Sequence, residues 1–411
     1  MITCYLDSQD YSTLTDPKRQ THAIVQTRNA LLALAQTQKV LFVFSAAALS
    51  EAAPLDPDWS FLAEFRGEFL SDLCGTNALI SFDRLLDVEM AALGVQQSRP
   101  LPSDALDLSG DWFPYLPLPD IPSQTTPWEE MRVRAEDELK SLGYSRHQRR
   151  AELKKMFKRG QPTTAFAEQM KRISLECVIE EIIREYPMKR EHAAVIAQHV
   201  LGRVSEQEFD QALRASLRDP RWMMKWFATN HALAGPIADM VRKPGQELGE
   251  ILRTMSYGMK QWASELCAGG KLPHPTSKQG AIARRWREMQ EDTLISLAKR
   301  FAEDRQITVA SITAKDVDLY CPGLSAMVRS IYSSVWDNVG GSRKEQPSDS
   351  QPVDAMHAMY APYVTVFRAD SFMAPHIQRQ VQRHGTIVEA CLPKLPSVLA
   401  DQIVRSAADD L

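Results

Sequence analysis

The sequence predicts an α/β protein with a parallel sheet, divided by a mostly α-helical insertion. Three observations carry that prediction. Short runs of β-forming residues alternate with amphipathic helical stretches over residues 1–97 and again over 321–411. That is the order right-handed βαβ units produce. The run Val40-Leu41-Phe42-Val43-Phe44 is apolar without alternation, as a strand covered by helices on both faces requires. Between the two α/β stretches, residues 128–320 carry helical spacing and few strand signals.

Taken in order, Ile2-Thr3-Cys4-Tyr5-Leu6 is a first strand that stops at Asp7. A helix follows from about Lys18 to Lys39, with Ile24, Leu31, Leu32 and Ala35 on its inner face. Val40–Phe44 is the second strand, and another helix runs from Phe61 to Cys74. Seven prolines fall between Pro100 and Pro127, with Trp112, Phe113 and Tyr115 among them. Such density excludes helix interior and central strand. Residues 98–127 therefore read as a linker whose aromatic side chains tether it to a surface.

Helical stretches follow over roughly 128–142, 163–186, 189–201, 205–217, 245–267 and 278–304. Breaks such as Gly160-Gln161-Pro162 and Gly269-Gly270 separate them, as a helix bundle requires. The second α/β stretch opens with a helix from Gly323 to Val339 and a polar loop from Ser342 to Pro352. A helical segment carrying Asp354 leads into the strand Tyr363–Phe367. A helix over 372–383, the strand Thr386–Ala390 and a closing helix over 397–407 complete it. One α/β domain, residues 1–97 with 321–411, interrupted by a linker and the helical insertion 128–320, accounts for this order.

Composition narrows the function classes. With 44% hydrophobic and 24% charged residues in 411, the chain has an ordinary globular make-up. Six scattered cysteines form neither a disulfide framework nor a CxxC clip, and fit a reducing cytoplasm. The most apolar stretch, Val40–Leu49, is well short of the ~20 residues that span a bilayer, so no membrane partner is expected. The N-terminus lacks a basic segment ahead of an apolar run, which argues against a signal peptide. No P-loop, GxGxxG or HExxH pattern is present, so nucleotide hydrolysis and dinucleotide redox chemistry have no support.

Acids recur in one structural position. Asp7 follows the first strand, Glu51 lies a few residues beyond the second, and Asp370 ends the run Tyr363–Asp370. Ligands of open parallel sheets bind outside the carboxyl ends of the strands. Carboxylates gathered there repel one another, and a hard divalent cation with oxygen preference removes that repulsion. Asp354 is a fourth candidate, on the helix leading into the Asp370 strand. Strand ends and helix caps favour Asp in any protein, so pattern alone leaves a metal site and ordinary caps as equal readings.

The segment Tyr5-Leu6-Asp7-Ser8-Gln9-Asp10-Tyr11-Ser12 resembles the first-strand motif of the PIN-like nuclease superfamily. Ser45–Glu51 is similar to its second motif, where a polar turn and short helix deliver a Glu. Asp354–Tyr360, then Pro362–Val366 and Asp370, resemble its third and fourth acids. The resemblance covers roughly residues 1–90 and 323–405. It implies a PIN-like, Rossmann-like sheet and a metal-dependent phosphodiesterase that usually cuts RNA. Asp7, Glu51, Asp354 and Asp370 would then be catalytic and would hold one or two Mg²⁺ or Mn²⁺ ions. Two departures stand out: no Asp lies near Val364-Thr365, where several members carry one, and the insertion is long. Asp349 remains an alternative to Asp354, Asp10 competes less seriously with Asp7, and a non-catalytic nucleic-acid-binding or regulatory protein on a degenerate PIN-like fold remains the alternative function. RNA and DNA substrates are not separable, because metal-assisted hydrolysis needs no 2′-hydroxyl.

A basic stretch supplies what an acidic nuclease half lacks. Up to Pro127 the chain holds 7 basic and 16 acidic residues, a net of −9, against −4 for the whole. Arg146, Arg149, Arg150, Lys154, Lys155, Lys158 and Arg159 crowd residues 145–159 beside a narrow face of Leu153, Met156 and Phe157. A basic amphipathic helix that binds phosphates and a merely solvated helix face are equal readings of that run. Arg284, Arg285 and Arg287 around Trp286 form a second, weaker patch, and Arg221–Phe227 reads as core packing in preference to base stacking. His357, near Asp354 in the sequence, could face the cleft, but reads first as a solvated or capping residue. A small nuclease with so large an accessory part suits a toxin or bacterial defence effector held in check by an inhibitory or regulatory protein partner. A homo-oligomer is left open.

Overall fold

The computed structural model describes residues 1–54, 56–107, 112, 127–166, 175–185, 188–201, 203–229, 250, 253–262, 264–265, 268, 275–309, 311–339 and 350–409. The chain forms two compact units, residues 1–114 with 224–411, and residues 115–223. Eight short strands are described: β1 (Ile2–Tyr5), β2 (Val40–Val43), β3 (Ala78–Leu79), β4 (Leu106–Asp107), β5 (Phe157–Lys158), β6 (Gln161–Pro162), β7 (Val366–Arg368) and β8 (Ile387–Glu389).

The first unit is α/β. Its sheet has four parallel strands in the order β2-β1-β7-β8. The central strand β1 is buried along its whole length and pairs Cys4 with Phe42 on one side and Val366 on the other. Burial on both sides explains its lack of polar alternation. Helix α1 (Ser8–Thr15) starts directly after Asp7, and α2 (His22–Gln36) returns the chain to β2. The Thr21 hydroxyl caps α2 by accepting from the Ile24 N–H, and Leu31 and Thr27 are its buried residues. Ser45 caps α3 (Ala46–Ala52) through the Ala48 N–H at 3.1 Å. Helices α4 (Leu62–Cys74) and α5 (Phe82–Val95) follow. Between them, a bridge from Phe44 to Ala78 carries the sheet edge toward β3, which pairs antiparallel with β4.

The tethered linker has one described anchor. Trp112 is fully buried, its ring edge-on to Phe44 at 5.0 Å. Phe113 and Tyr115 lie outside the described residues.

Residues 115–223 form the second unit. It contains α6 (Pro127–Ser141), α7 (Arg146–Met156), the β5–β6 hairpin, α8 (Leu175–Glu185), α9 (Arg190–Val200) and α10 (Glu206–Arg218). Ile179, Met188, Ala193 and Ala197 form its small core, flanked by Leu175, Val178, Ile182 and Ile196. Helix α11 (Pro220–Thr229) spans the boundary and buries Met223 and Met224.

Residues 224–320 group with the α/β unit, whereas the sequence pattern placed them in one insertion with 128–223. The physical reason is the long helix α12 (Pro275–Asp304), which buries Leu294, Ala298 and Ala302. It docks on α14 (Pro322–Val339), and the Trp286 indole N–H donates to the Tyr332 carbonyl at 3.1 Å. Arg305, just past its end, holds Asp87 of α5. Helix α13 (Ala314–Tyr320) is capped by Thr313 and lies between α12 and α14 in the chain.

The polar loop expected to reach Pro352 is helical from Ser350, where α15 (Ser350–His357) begins. The strand expected over Tyr363–Phe367 is displaced to Val366–Arg368. Ala358–Tyr363 instead form a buried 3-10 turn containing Pro362, which cannot donate to a strand ladder. Helices α16 (Ala374–Val381) and α17 (Leu395–Asp409) complete the unit. Among the described residues no helix is long and apolar enough to cross a membrane, and Cys4, Cys74, Cys177, Cys321 and Cys391 are free thiols.

Candidate functional site

Near the carboxyl ends of β1, β2 and β7, acids from four elements lie within electrostatic reach of one another. Asp7 leaves β1 and precedes α1, where it accepts a hydrogen bond from the Ser8 hydroxyl at 3.3 Å. Glu51 is on α3, the helix that follows β2, and Asp354 is on α15. Asp370 leaves β7, and its Oδ1 accepts the Phe372 and Met373 N–H groups at 2.6 Å each.

Their charges are felt mutually. Burial raises the Asp7 pKa, His357 and Arg368 oppose that rise, and Glu51 and Asp370 add to it. Asp354 is pushed up to about 7, first by burial and then by Asp7 and Asp370, with a smaller push from Glu51. Carboxylates that raise one another's proton affinity share a poorly solvated space. All four acids expected from the sequence are therefore electrostatic neighbours.

They do not converge on one point. Among the described residues no three His, Cys, Asp or Glu side chains come close enough together to hold a metal ion as they stand. Asp7, Glu51 and Asp370 already have polar partners. The Glu51 Oε2 is 3.0 Å from the His357 Nε2, and Asp370 is engaged with backbone N–H groups. In chemistry the donor set suits a hard cation, since Asp7, Asp354 and Asp370 offer only carboxylate oxygen. In placement it is not a closed coordination shell. Asp349 lies outside the described residues.

Several participants had no strong sequence signal. His357 is buried, not solvated or capping, and corrects that expectation. Its Nδ1 is 2.6 Å from the Tyr5 hydroxyl, which in turn lies 2.8 Å from the Ser45 Oγ. Burial alone would lower the His357 pKa, but the Glu51 carboxylate carries it up to about 9. Arg368 on β7 pairs with the buried Asp10 at 3.2 Å. Asp10 is nevertheless pushed to about 7, because burial outweighs the Arg368 charge. Asp10 also binds the Asp7 N–H through Oδ2, at 3.2 Å, so it braces the turn that presents Asp7. The proximity of Asp354 and His357 in the sequence was the available hint. Arg368 lay within the strand motif but was indistinguishable from a surface cation.

The basic stretch is partly as expected. Arg146, Arg149, Arg150, Lys154 and Lys155 are on α7, which begins with a Ser145–Gln148 capping box. Lys158 and Arg159 are not on that helix but in the β5–β6 hairpin, because Phe157 breaks away to pack on Phe166 at 5.3 Å. Lys155 is paired with Glu152 and Arg149 donates to the Tyr144 carbonyl, whereas Arg146, Arg150, Lys154, Lys158 and Arg159 are exposed. Around the second patch, Trp286 is buried, and Arg287 lines a cleft of about 330 Å³ with Gln290, Ser333, Trp336 and Gln380.

In comparison with known proteins, no family model, no curated protein and no solved structure matches this chain. Its class rests on what the fold and the cleft themselves display: an α/β unit with an all-parallel four-stranded sheet, and acids at the carboxyl ends of its strands.

Proposed function

We propose that the chain is a PIN-like, divalent-metal-dependent endonuclease, and most directly an endoribonuclease. The observation that carries this reading is the placement of Asp7, Glu51, Asp354 and Asp370 on four elements near the carboxyl ends of the strands, where burial first, and then the charges of Asp7, Asp370 and Glu51, push the Asp354 pKa up to about 7. Excess negative charge in a shielded cleft is what a bound Mg²⁺ or Mn²⁺ relieves, and the chemistry such an ion supplies is polarisation of a phosphodiester and acidification of water. Asp7, Asp354 and Asp370 would hold it, with Glu51 beside them. Arg368 and Asp10 keep the Asp7 turn in place. The exposed cations of α7 and the hairpin are assigned to the phosphates of the substrate, or to a regulatory partner of the kind that restrains a toxin or defence effector.

The test is Mn²⁺-dependent cleavage of fluorescent RNA and single-stranded DNA oligonucleotides by the wild-type chain and by Asp7→Asn and Asp354→Asn. Cleavage by the wild type and its loss in both folded variants is expected. A wild type that cleaves neither substrate, or variants that cleave as fast as it does, would overturn the assignment. A second reading, a non-catalytic binding or regulatory protein on the same fold, is favoured by one observation: His357 already pairs with Glu51, and Arg368 with Asp10, the residue that braces the Asp7 turn. Retained RNA binding without Mn²⁺ uptake would select it.

A further inference from the structure

Helix α7 is not explained by packing. Among its 11 residues, Arg146–Met156, none is buried. A helix polar on every side is normally sustained by many side-chain pairs, and α7 has one, Lys155 with Glu152 at 2.6 Å. Positions 145–159 hold seven basic residues and that single acid. Glu136, Asp137 and Glu138 on the adjoining α6 form no ion pair with them. Two placements also run against local stability. Arg146 and Arg149 fall in the first turn of α7, where the helix dipole disfavours cations and no acid balances them. Arg159 and Gly160 make the two-residue loop of the β5–β6 hairpin, and both have positive φ, 54° and 78°. Glycine or asparagine is the ordinary occupant of that first position. Residues that break local rules without a packing gain mark function.

The surroundings of α7 narrow its occupant to one kind of polyanion. Helix α6 closes on Gly143, at a φ of 81°, with the Tyr144 N–H on the Leu139 carbonyl at 3.0 Å. Only residues 142–145 separate α6 from α7, and the hairpin follows α7 directly. A short glycine-containing turn of this kind is how paired helices present the second of them to the major groove of DNA. An α-helix is about 10–12 Å across with its side chains, and that groove is about 12 Å wide. The corresponding groove of duplex RNA is too narrow for side chains to read. Single strands are gripped by stacking on aromatic rings, and α7 carries no Phe, Tyr or Trp. Arg146, Arg150 and Lys154 lie at four-residue intervals, so they form one row with a repeat of about 6 Å. We propose that α7 and the β5–β6 hairpin are a duplex-DNA-binding element: α7 lies in the major groove, and Lys158 and Arg159 at the hairpin tip take flanking phosphates. Residues 115–223 then anchor the chain on DNA, whatever the cleft cleaves.

DNA binding by α7 does not depend on the chemistry of the cleft, so it is measured without metal. The assay is fluorescence anisotropy of a labelled duplex DNA of mixed sequence, with single-stranded and duplex RNA of the same sequence as competitors. The chains compared are the wild type, Arg150→Ala, Lys154→Ala and Arg159→Gly. Alanine preserves the helix, and glycine relieves the positive φ at position 159. The wild type should bind duplex DNA more tightly than either RNA. Its log affinity should fall against log salt with a slope of about −4 to −5, as neutralisation of phosphates by the exposed Arg146, Arg150, Lys154, Lys158 and Arg159 requires. Each substitution should make that slope shallower by about 1. Arg159→Gly should in addition raise the melting temperature while it weakens binding, a separation that a purely structural arginine would not produce. Competition by either RNA equal to or better than that of unlabelled DNA overturns the proposal. So does the absence of DNA binding, which would leave these cations to an acidic protein partner. Salt slopes unchanged in all three variants overturn it as well, even if the wild type binds DNA.

Discussion

Glu89→Gln should change the slope of stability against pH more than it changes stability at any one pH. Glu89 is fully buried on α5, and its carboxylate accepts the Gly323 and Leu324 N–H groups at 2.5 and 3.0 Å and the Tyr363 hydroxyl at 2.6 Å. It thus caps the first turn of α14 from a distance of more than 200 residues in sequence. Burial pushes its pKa up, the three donors pull it back, and the balance lies at about 7 against an ordinary 4.5. The native chain therefore binds more protons than the unfolded chain between those two values. Stability contributed by this group is greatest below pH 4.5, and falls as pH rises to about 7. The rise corresponds to about 3 kcal/mol between the two limits. Glutamine does not titrate, and it presents an NH₂ to groups that are themselves donors, costing about 1–2 kcal/mol at pH 5, where Glu89 is neutral. By pH 8.5 the wild type carries the full ionisation penalty and the variant does not. The difference between them should shift by about 3 kcal/mol in favour of the variant. Urea unfolding of both chains from pH 5 to 8.5 measures it. Parallel stability curves would refute the reasoning, whatever their vertical separation.

Other perturbations have equally definite outcomes. Gly323→Ala places a Cβ 2.6 Å from the Met359 carbonyl oxygen and 2.7 Å from the Glu89 Oε1. Despite better helix propensity it should destabilise by roughly 1–3 kcal/mol, read as a lower urea midpoint. Trp112→Ala should cost about 3–5 kcal/mol and also release the tether, so limited proteolysis should begin within residues 100–127 at lower protease concentration. Asp354→Asn removes an acid raised to about 7 from an ordinary 3.8. At pH 8 without metal it should stabilise the chain by about 2–4 kcal/mol, and the gain should vanish below pH 4. An unchanged or lower unfolding free energy at pH 8 would contradict that.

Features encoded by neighbouring residues were legible in the sequence. The strands β1 and β2 follow from continuous apolar runs, α2 and α4 from helical spacing, and Asp7, Glu51 and Asp370 from their place after those elements. Where two local signals competed, the reading failed. Tyr363 and Val364 have strand propensity, yet Ala358–Tyr363 turn as a 3-10 segment because Pro362 and burial beneath α14 decide. Partners distant in sequence were not legible at all. Glu51 and His357 are 306 positions apart and Asp10 and Arg368 are 358 apart. Periodicity describes a single element and carries no information on which elements meet. The same limit assigned α12 to the insertion, since an amphipathic helix does not declare which core its apolar face joins.

The position of β1 in the middle of the sheet has a consequence for biosynthesis. Its first neighbour, β2, leaves the ribosome early, but its second, β7, is more than 350 residues later. At 5–20 residues per second the nascent chain holds an open, apolar strand edge for roughly 20–70 s. A chaperone that shields extended apolar segments has that interval in which to act. Asp354 and Asp370 join Asp7 only when synthesis has passed residue 370, so incomplete chains lack the assembled cleft altogether.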